Sequence, residues 1–488
     1  MKVCIVGGGS AGWMSATTFV RCLDAEVTLI ESSNIDVSGV GESTLGKIQT
    51  WIDLVGIRED EIDFMRETGA TLKHSIKFTD FLEKGSGSFH YPFGDEPLIH
   101  PQNWWDFKCN SPKDFLDRSY GEEVNPLGLL AEKGKVDMNS DYAYHFDAIK
   151  FGQFLRKKYC TEVNHILGEV IDCELGESGI KSLKVGSDKG FKSYDIEADL
   201  FIDCTGFKSL LLGQFLKEPY ISYESLLPND SAWATHISHV DKEKMCPYTE
   251  CTAINNGWVW KIPLWDSIGT GYVYSSKHIS HKDAKQEFID HLGTSDCEFI
   301  HIPMKIGRYK RTWVKNVVAI GLSAGFIEPL ESNGLFTVHQ HLLALYKTLR
   351  RGKASQLLKD FYNKGMNVNF DTFADFVAVH YAFTQRTDTS YWKDIFNKEY
   401  DNMGLDTVER YGFILYAYEL YRDNKYQHLS SGFHYIAASM GLIPFVDEGD
   451  IDRSELKKMS EIYEQWNQRC ESAPTMYEFL KENVYNNT

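Results

Sequence analysis

The chain has 488 residues, of which 43% are hydrophobic and 14% aromatic, so it can bury a large core. It carries 69 acidic and 51 basic side chains, and its formal net charge of −18 disfavours a role in binding nucleic acid. We expect no membrane helix, because no apolar run reaches roughly 20 residues, and no signal peptide. The ten cysteines include no CxxC pair, which predicts free thiols in a cytoplasmic protein and no metal site.

The first 31 residues follow the pattern of a dinucleotide-binding unit. A short apolar strand pattern ends before Gly7, a helical pattern follows Gly12, and a second strand pattern ends in Glu31. Gly7 allows a tight turn, Gly9 lets a pyrophosphate approach the backbone, and Gly12 lets the helix pack closely on the strand. The helix N-terminus offers N–H groups to the phosphates, and Glu31 can accept from a ribose hydroxyl. We therefore predict a bound dinucleotide.

Two later apolar runs also end in turns of small residues, one at Asp203 to Gly206 and one at Gly321. In a doubly wound sheet such turns lie at the carboxyl ends of the strands, where the ligand crevice is found. The sequence contains no second GxGxxG motif. This pattern favours a flavin domain over a nicotinamide enzyme, and it predicts that another protein supplies the reducing equivalents.

A strand is predicted between Ala70 and Phe78, where apolar residues alternate with Lys73, Ser75 and Lys77. The period of two places these three polar side chains on one face. A solvated strand face accounts for such lysines, so periodicity alone assigns no role to Lys73.

A second strand is predicted at residues 257–264, with Trp258, Trp260 and Ile262 on one face and Pro263 ending the ladder or marking an edge. Paired tryptophans of this kind most often belong to a core, because each buries a large apolar area.

Two helix starts follow polar or glycine-rich segments. In residues 38–44 the side chain of Ser43 or Thr44 is placed to cap a helix. A longer helical pattern begins near Leu335, and Ser332 or Asn333 is a good N-cap for it. The N-terminus of this longer helix is a ready anion site, for flavin charge or for a halide. An ordinary capped helix explains each segment equally well.

Together these stretches resemble the flavin-dependent halogenases of the tryptophan-halogenase family over most of the chain. The matching stretches are the glycine motif, a strap at 39–44, the Lys73 strand, His145-Phe146-Asp147-Ala148, Asp203–Gly206, the Trp-x-Trp-x-Ile-Pro box at 258–263, the turn at 327–334 and His380-Tyr381. The tryptophan box is specific to the family, whereas flavin monooxygenases share the glycine motif.

The resemblance implies an α/β fold with an FAD-binding, Rossmann-like box of the monooxygenase type. On this view residues 1–345 form the box, with a substrate-facing insertion at about 83–145. Residues 346–488 form a mainly helical substrate-binding region packed on the box. A homo-oligomer is compatible with the sequence.

The resemblance also implies a reaction. FADH2 from a separate flavin reductase, O2 and a halide (chloride, bromide or iodide) give hypohalous acid, which passes through a tunnel to an aromatic substrate. Lys73 would hold this acid by a hydrogen bond or as a haloamine, since enclosure favours a neutral, nucleophilic amine. Glu331 would polarise the halogenating species and stabilise or deprotonate the cationic ring.

The remaining site residues follow by position in the family pattern. The cofactor residues are Gly7, Gly9, Ser10, Ala11, Gly12, Glu31, Gly39, Val40, Gly41, Glu42, Ser43, Asp203, Gly206, Gly321 and Leu330. The halide residues are Asn333, which stands where threonine is usual, and Gly334. The residues on the flavin side or in the tunnel are Trp258, Trp260, Ile262, Pro263 and Ser332.

The substrate pocket departs from the family's tryptophan-specific members. Phe93 fits their pattern, but Tyr91 stands where they can carry a histidine. Near the C-terminus, Tyr426-Gln427-His428-Leu429-Ser430 replaces an adjacent Phe-Trp pair. These departures disfavour free tryptophan and favour another electron-rich aromatic, of indole or phenol type.

Two other functions remain open from the sequence. One is a flavin-dependent aromatic monooxygenase, which has no need of the tryptophan box or of Lys73 and Glu331. The other is a flavin-binding protein without catalysis, against which the presence of both Lys73 and Glu331 argues.

Overall fold

The structure is a computed structural model that describes residues 1–33, 41–94, 120–187, 193–398, 435–436, 438–440 and 453–486. Its strands, in chain order, are β1 (Lys2–Val6), β2 (Glu26–Glu31), β3 (Glu42–Ser43), β4 (Thr71–Lys73), β5 (Ser75–Thr79), β6 (Ser88–Pro92), β7 (Ala143–Phe146), β8 (Asn164–Gly176), β9 (Gly179–Ser187), β10 (Ser193–Ile196), β11 (Leu200–Asp203), β12 (Tyr220–Ser222), β13 (Ser231–Ile237), β14 (Tyr248–Ile254), β15 (Gly257–Pro263), β16 (Ile268–Tyr274), β17 (Ile300–Pro303), β18 (Gly307–Tyr309), β19 (Trp313–Val314), β20 (Val317–Ala319) and β21 (Gly325–Phe326).

The α-helices are α1 (Ser10–Leu23), α2 (Ile48–Val55), α3 (Glu61–Thr68), α4 (Tyr120–Val124), α5 (Pro126–Glu132), α6 (Ala148–Tyr159), α7 (His281–Leu292), α8 (Asn333–Leu349), α9 (Gln356–Ala382), α10 (Ser390–Phe396), α11 (Arg453–Ser472) and α12 (Met476–Leu480). Short 3-10 or π segments lie at Ile57–Asp60, Gly206–Lys208, Leu210–Phe215, Lys242–Lys244, Gly321–Ser323, Pro329–Glu331 and Lys481–Tyr485. Among the helices described, none is long and apolar enough to cross a membrane.

The chain folds into two compact units, each assembled from separated segments. The first unit comprises residues 1–70, 146–224 and 304–371, and the second comprises residues 71–145, 225–303 and 372–488. The boundary predicted at 345–346 falls inside α8 (Asn333–Leu349). The difference has a physical cause, since strand pairing joins segments that are far apart in the sequence.

The first unit is built on an eight-stranded sheet with the order β10-β9-β8-β2-β1-β11-β20-β19. The apolar strand β1 lies between β2 and β11 and runs parallel to both. The next strand, β20, runs parallel to β11, so four neighbouring strands share one direction, as in a doubly wound dinucleotide-binding fold. Their carboxyl ends therefore meet at one edge, which confirms the predicted Rossmann-like α/β fold.

The second unit is built on a seven-stranded sheet with the order β17-β13-β16-β15-β14-β5-β6. Neighbouring strands are antiparallel except β14 and β5, which run parallel. The tryptophan-rich strand β15 has a partner on each side, so Pro263 ends an inner strand rather than marking an edge. Strand β6 belongs to this sheet as well, so the predicted insertion at 83–145 contributes directly to the second unit's core.

Candidate active site

The glycine loop of the first unit has the shape that an FAD pyrophosphate needs. Gly7 has φ 114°, and a Cβ there would lie 2.1 Å from the carbonyl oxygen of Cys204. A Cβ on Gly9 would meet nothing within 4 Å, so the space above this residue is open. Gly9 is also the N-cap of α1 and has no side chain to cap it, which leaves the N–H groups of Ser10 and Ala11 available to phosphate. The residues present therefore fit the cofactor.

The Glu31 carboxylate lies against this loop, and its contact with a ribose stays a prediction. A Cβ added to Gly8 would fall 1.4 Å from Glu31 Oε2, so only glycine fits beneath the carboxylate. The other oxygen, Oε1, accepts from His165 Nε2 at 2.8 Å. The bond from His165 orients the carboxylate, although the sequence pattern did not single out this histidine.

Asp203 is buried, and its carboxylate is committed to the turn that follows it. Oδ1 accepts from the N–H and hydroxyl of Thr205 at 3.1 and 2.6 Å. Oδ2 accepts from the N–H groups of Leu211 and Leu212 at 2.7 and 2.8 Å. Burial raises the pKa of Asp203, and these four bonds oppose that rise. Asp203 therefore shapes the turn around Gly206, which has φ 67°.

The strap at residues 39–44 lies close to the start of α8 at two of its residues, Glu42 and Ser43. Gly39 and Val40 lie outside the described residues. Glu42 is half-buried, and its Oε2 lies 4.0 Å from the point where a Cβ on Gly334 would stand. Burial raises the pKa of Glu42 to about 7. Ser332 donates its hydroxyl to Ser43 Oγ at 3.0 Å.

The predicted cap of α2 was wrong, whereas the predicted cap position of α8 is confirmed at Ser332. Helix α2 begins at Ile48 with Lys47 as its N-cap, so neither Ser43 nor Thr44 caps it. Ser332 occupies the N-cap position of α8 with φ 55°, and no side-chain cap hydrogen bond forms there. The Ser332 hydroxyl has a partner elsewhere, in Ser43.

Glu331 lies on a tight turn that precedes α8. Glu331 and Leu330 are both 0% exposed, and Pro329 begins the short 3-10 turn that carries them. The side-chain amide of Asn333 donates to the Glu328 carbonyl oxygen at 3.0 Å and closes the turn. Asn333 and Gly334 form the first turn of a 17-residue helix, whose N-terminus carries partial positive charge.

Lys73 is fully buried in the second unit, and the expectation of a solvated strand face was wrong for it. The predicted strand is broken at His74 into β4 and β5, and β4 pairs with β7. Lys73 Nζ lies 5.0 Å from the centre of the Phe93 ring. Lys77, two positions into β5, is partly exposed and forms an ion pair with Glu132 at 2.6 Å.

The tryptophan box forms a buried face of β15. Trp258 is 0% exposed and Trp260 is 8% exposed, with ring centres 6.1 Å apart. The partner of Trp260 across the ladder is Gly271, where a Cβ would fall 2.0 Å from the indole ring. Ile262 lies on the same face by its period, and it is also buried.

The aromatic residues predicted for the substrate pocket belong to a larger aromatic cluster. Tyr91 is half-buried, and its ring lies 6.5 Å from Phe93, 5.9 Å from Phe376 and 5.8 Å from Tyr435, measured between ring centres. Asn125 Nδ2 donates to the carbonyl oxygen of Phe93 and to the hydroxyl of Tyr435. The sequence analysis did not predict Phe376, Tyr435 or Asn125 as part of this cluster, because no local pattern links them to β6. Residues 426–430 lie outside the described residues.

The chain is similar to known proteins along most of its length. The sequence model of the tryptophan halogenase family matches residues 2–446. Tryptophan 7-halogenase RebH from Lentzea aerocolonigenes is 32% identical over 544 aligned positions, covering 99% of this chain and 98% of that protein. Tryptophan 6-halogenase SttH from Streptomyces toxytricini is 35% identical over 446 positions, covering 84% and 83%.

Solved structures give the same result. The apo structure of VirX1 superposes with a TM-score of 0.87 at 36% identity, covering 99% of both chains. The crystal structure of SttH superposes with a TM-score of 0.86 at 31% identity, covering 98% of this chain and 99% of that chain. With matches along nearly its whole length, the chain belongs to the tryptophan halogenase family and is a flavin-dependent halogenase that works with FADH2.

Proposed function

We propose that this halogenase uses O2 and a halide to make hypohalous acid, and that Lys73 presents the halogen to an electron-rich aromatic of indole or phenol type. Bound reduced flavin supplies the electrons for the first step, and a separate flavin reductase delivers it. Chloride, bromide and iodide are all included in the proposal. The observation that carries it is the buried Lys73 beside the Phe93 ring.

The surroundings of Lys73 suit an amine that handles an oxidising halogen. The side chain is excluded from solvent, and burial disfavours the charged form of an amine. The neutral amine is a nucleophile that forms a haloamine, while the ammonium donates hydrogen bonds to hypohalous acid. Both forms would hold the halogen in one place and keep it from reacting with water.

Glu331 is proposed to act on the aromatic ring. Electrophilic attack makes the ring cationic, and a carboxylate stabilises that charge and accepts the proton that leaves. The buried 3-10 turn and the Asn333 bond to Glu328 fix the backbone on both sides of Glu331. The peptide N–H groups of Asn333 and Gly334 are the proposed halide ligands, since a helix N-terminus favours an anion.

The flavin side is proposed to be separated from the substrate by Trp258, Trp260, Ile262, Pro263 and Ser332. The two buried indoles support this separation, because their packed rings exclude water and bulky molecules. Tyr91 and Phe93 are the proposed substrate contacts. A tyrosine at 91 adds a hydroxyl to an aromatic wall, and this suits a phenol or indole that carries its own polar group.

The proposal is tested by supplying the protein with a flavin reductase, NADH, O2 and each halide in turn, together with a panel of indoles and phenols. Mass spectrometry then identifies the products. Halogenated products support the proposal. Hydroxylated products would support direct oxygen transfer instead, and free hypohalous acid without any halogenated aromatic would contradict the role given to the substrate pocket.

Lys73→Ala should abolish halogenation, with a loss of at least about a thousandfold, because no other group replaces the amine at the halogen. Flavin binding and the reoxidation of FADH2 by O2 should stay near wild type. Lys77→Ala is the matched control, since Lys77 lies on the next strand and pairs with Glu132. Halogenation retained in Lys73→Ala, or lost equally in Lys77→Ala, would refute the role of Lys73.

A further inference from the structure

A chain of hydrogen bonds runs beside Lys73 in the second unit and is centred on His145. Thr71 and Lys73 are two residues apart on β4, so their side chains share a face. Thr71 is paired with His145 across the β4–β7 ladder. His145 Nδ1 lies 3.2 Å from Thr71 Oγ1, and His145 Nε2 lies 2.9 Å from Thr249 Oγ1.

The direction of each bond follows from the number of protons available. The Thr71 hydroxyl donates to the Pro263 carbonyl oxygen at 2.6 Å, and a carbonyl oxygen can only accept. The single Thr71 proton is therefore used, and Thr71 must accept from His145 Nδ1–H. A neutral imidazole then accepts at Nε2, so the Thr249 hydroxyl donates to it.

The electrostatic surroundings keep His145 neutral. Burial lowers the pKa of His145 well below its usual range, and Lys73 lowers it further when its amine is charged. All of the atoms in the chain of bonds belong to buried residues, apart from the carbonyl of the half-buried Pro263. A neutral imidazole that is hydrogen-bonded at both ring nitrogens holds one tautomer and one ring orientation.

The chain of hydrogen bonds connects the strand that carries Lys73 to the strand that carries the tryptophan box. His145 is on β7, Thr249 is on β14 and Pro263 ends β15, the strand of the tryptophan box. Thr249 lies on the same sheet face as Trp260, because alternate residues share a face and Cys251 pairs with Trp260. The link therefore runs from the tryptophan face of the sheet to the strand that holds Lys73.

We propose that His145 is the positioning residue for Lys73, and that it fixes the lysine strand against the end of the tryptophan box through Thr71 and Thr249. This inference rests on the function proposed above for Lys73. A small displacement of Lys73 would let hypohalous acid escape before it is captured. The expected defect is therefore wasted oxidant rather than slower flavin oxidation.

The test measures halogenated product formed per FADH2 oxidised in His145→Leu, Thr71→Val and the double variant. Each single change should lower this ratio about tenfold, the usual effect of losing one buried hydrogen bond. The double variant should be no worse than the poorer single variant, since both changes break one chain of bonds. Thr71→Ser keeps the hydroxyl and should retain the wild-type ratio, and flavin reoxidation should be unchanged throughout.

Thr235→Val is the matched control. Thr235 is a buried threonine of the same unit whose hydroxyl donates to the Glu298 carbonyl oxygen at 2.7 Å, and its loss should leave the ratio unchanged. Wild-type ratios in His145→Leu and Thr71→Val would overturn the proposal. Additive losses in the double variant, or an equal loss in Thr235→Val, would also overturn it.

A second readout does not depend on halogenation. Reductive methylation followed by peptide mass spectrometry reports how accessible the Lys73 amine is. Lys73 should be protected in the wild type and in Thr235→Val, and modified faster in His145→Leu. This outcome supports the positioning role even if no halogenated product forms in the wild type, whereas protection equal to wild type in His145→Leu refutes it.

Discussion

Several polar side chains that the sequence pattern predicted to bind the cofactor or the halide form hydrogen bonds within the protein, to the backbone or to other side chains. The Asp203 carboxylate accepts four bonds from its own turn, and the Asn333 amide donates to Glu328. Such residues build the shape of a site, because a buried polar group left unpaired is costly. Glu42 differs, since it is half-buried and its pKa is shifted by burial alone.

Glu42→Gln should stabilise the flavin-free protein more at pH 8 than at pH 5. The pKa of Glu42 is raised from an ordinary 4.5 to about 7 in the folded state. Its contribution to stability is therefore complete below about pH 4.5 and is lost as the pH rises through about 7. Glutamine is neutral at every pH and avoids this loss.

Urea unfolding of the wild type and of Glu42→Gln between pH 5 and pH 8 measures the difference. The exposed Glu177→Gln serves as the control and should show no such trend. A stability difference between Glu42→Gln and the wild type that is the same at pH 5 and pH 8 would contradict the prediction.

At the scale of elements, period and register explain most of the second unit's sheet. The alternating pattern predicted β15 and its buried tryptophan face, and both are confirmed. The pattern at 70–78 is less regular, because His74 interrupts it. His74 accepts the N–H of Asp137 at Nε2, and its Nδ1 lies 3.2 Å from the Asp141 carbonyl oxygen, so residues far along the chain decide where β4 ends.

Gly271→Ala should destabilise the second unit by about 1–3 kcal/mol, the usual cost of overpacking. The new Cβ would stand 2.0 Å from the Trp260 ring and force it to move. Thermal or urea unfolding measures the loss. Gly176→Ala is the control, since a Cβ there meets nothing within 4 Å. Equal stability of the two variants would show that the ring adapts at no cost.

At the scale of the whole molecule, the two units share the chain in alternating segments. A chain cut to residues 1–345 should therefore not fold cooperatively, although the sequence predicted a complete cofactor box there. The first unit would lose Asn363, which accepts from the backbone N–H groups of Thr312 and Trp313. It would also lose Asp371, which pairs with Arg308 at 2.7 Å.

Circular dichroism during heating and limited proteolysis of the 1–345 chain test this prediction, with the full chain as the reference. A broad, non-cooperative transition and rapid cleavage are expected, because the second unit also loses residues 372–488. A sharp transition, together with FAD binding, would show that the cofactor box folds without the rest of the chain.

The sequence by itself determined the dinucleotide-binding start, because Gly7, Gly9, Gly12 and Glu31 belong to one local strand–turn–helix–strand pattern. It also determined the tryptophan face of β15, since a period of two needs only neighbouring residues. The family was predicted from such motifs and is confirmed.

Only the tertiary structure decided which side chains are buried and what they contact. Lys73 and Lys77 have similar neighbours in the sequence. In the structure Lys73 is buried and Lys77 forms an ion pair with Glu132, because β4 and β5 pair with different strands. The links from His145 to Thr71 and Thr249 likewise span 74 and 104 residues. Local pattern cannot supply these contacts, since hydrogen bonding and burial depend on strands that meet only after folding.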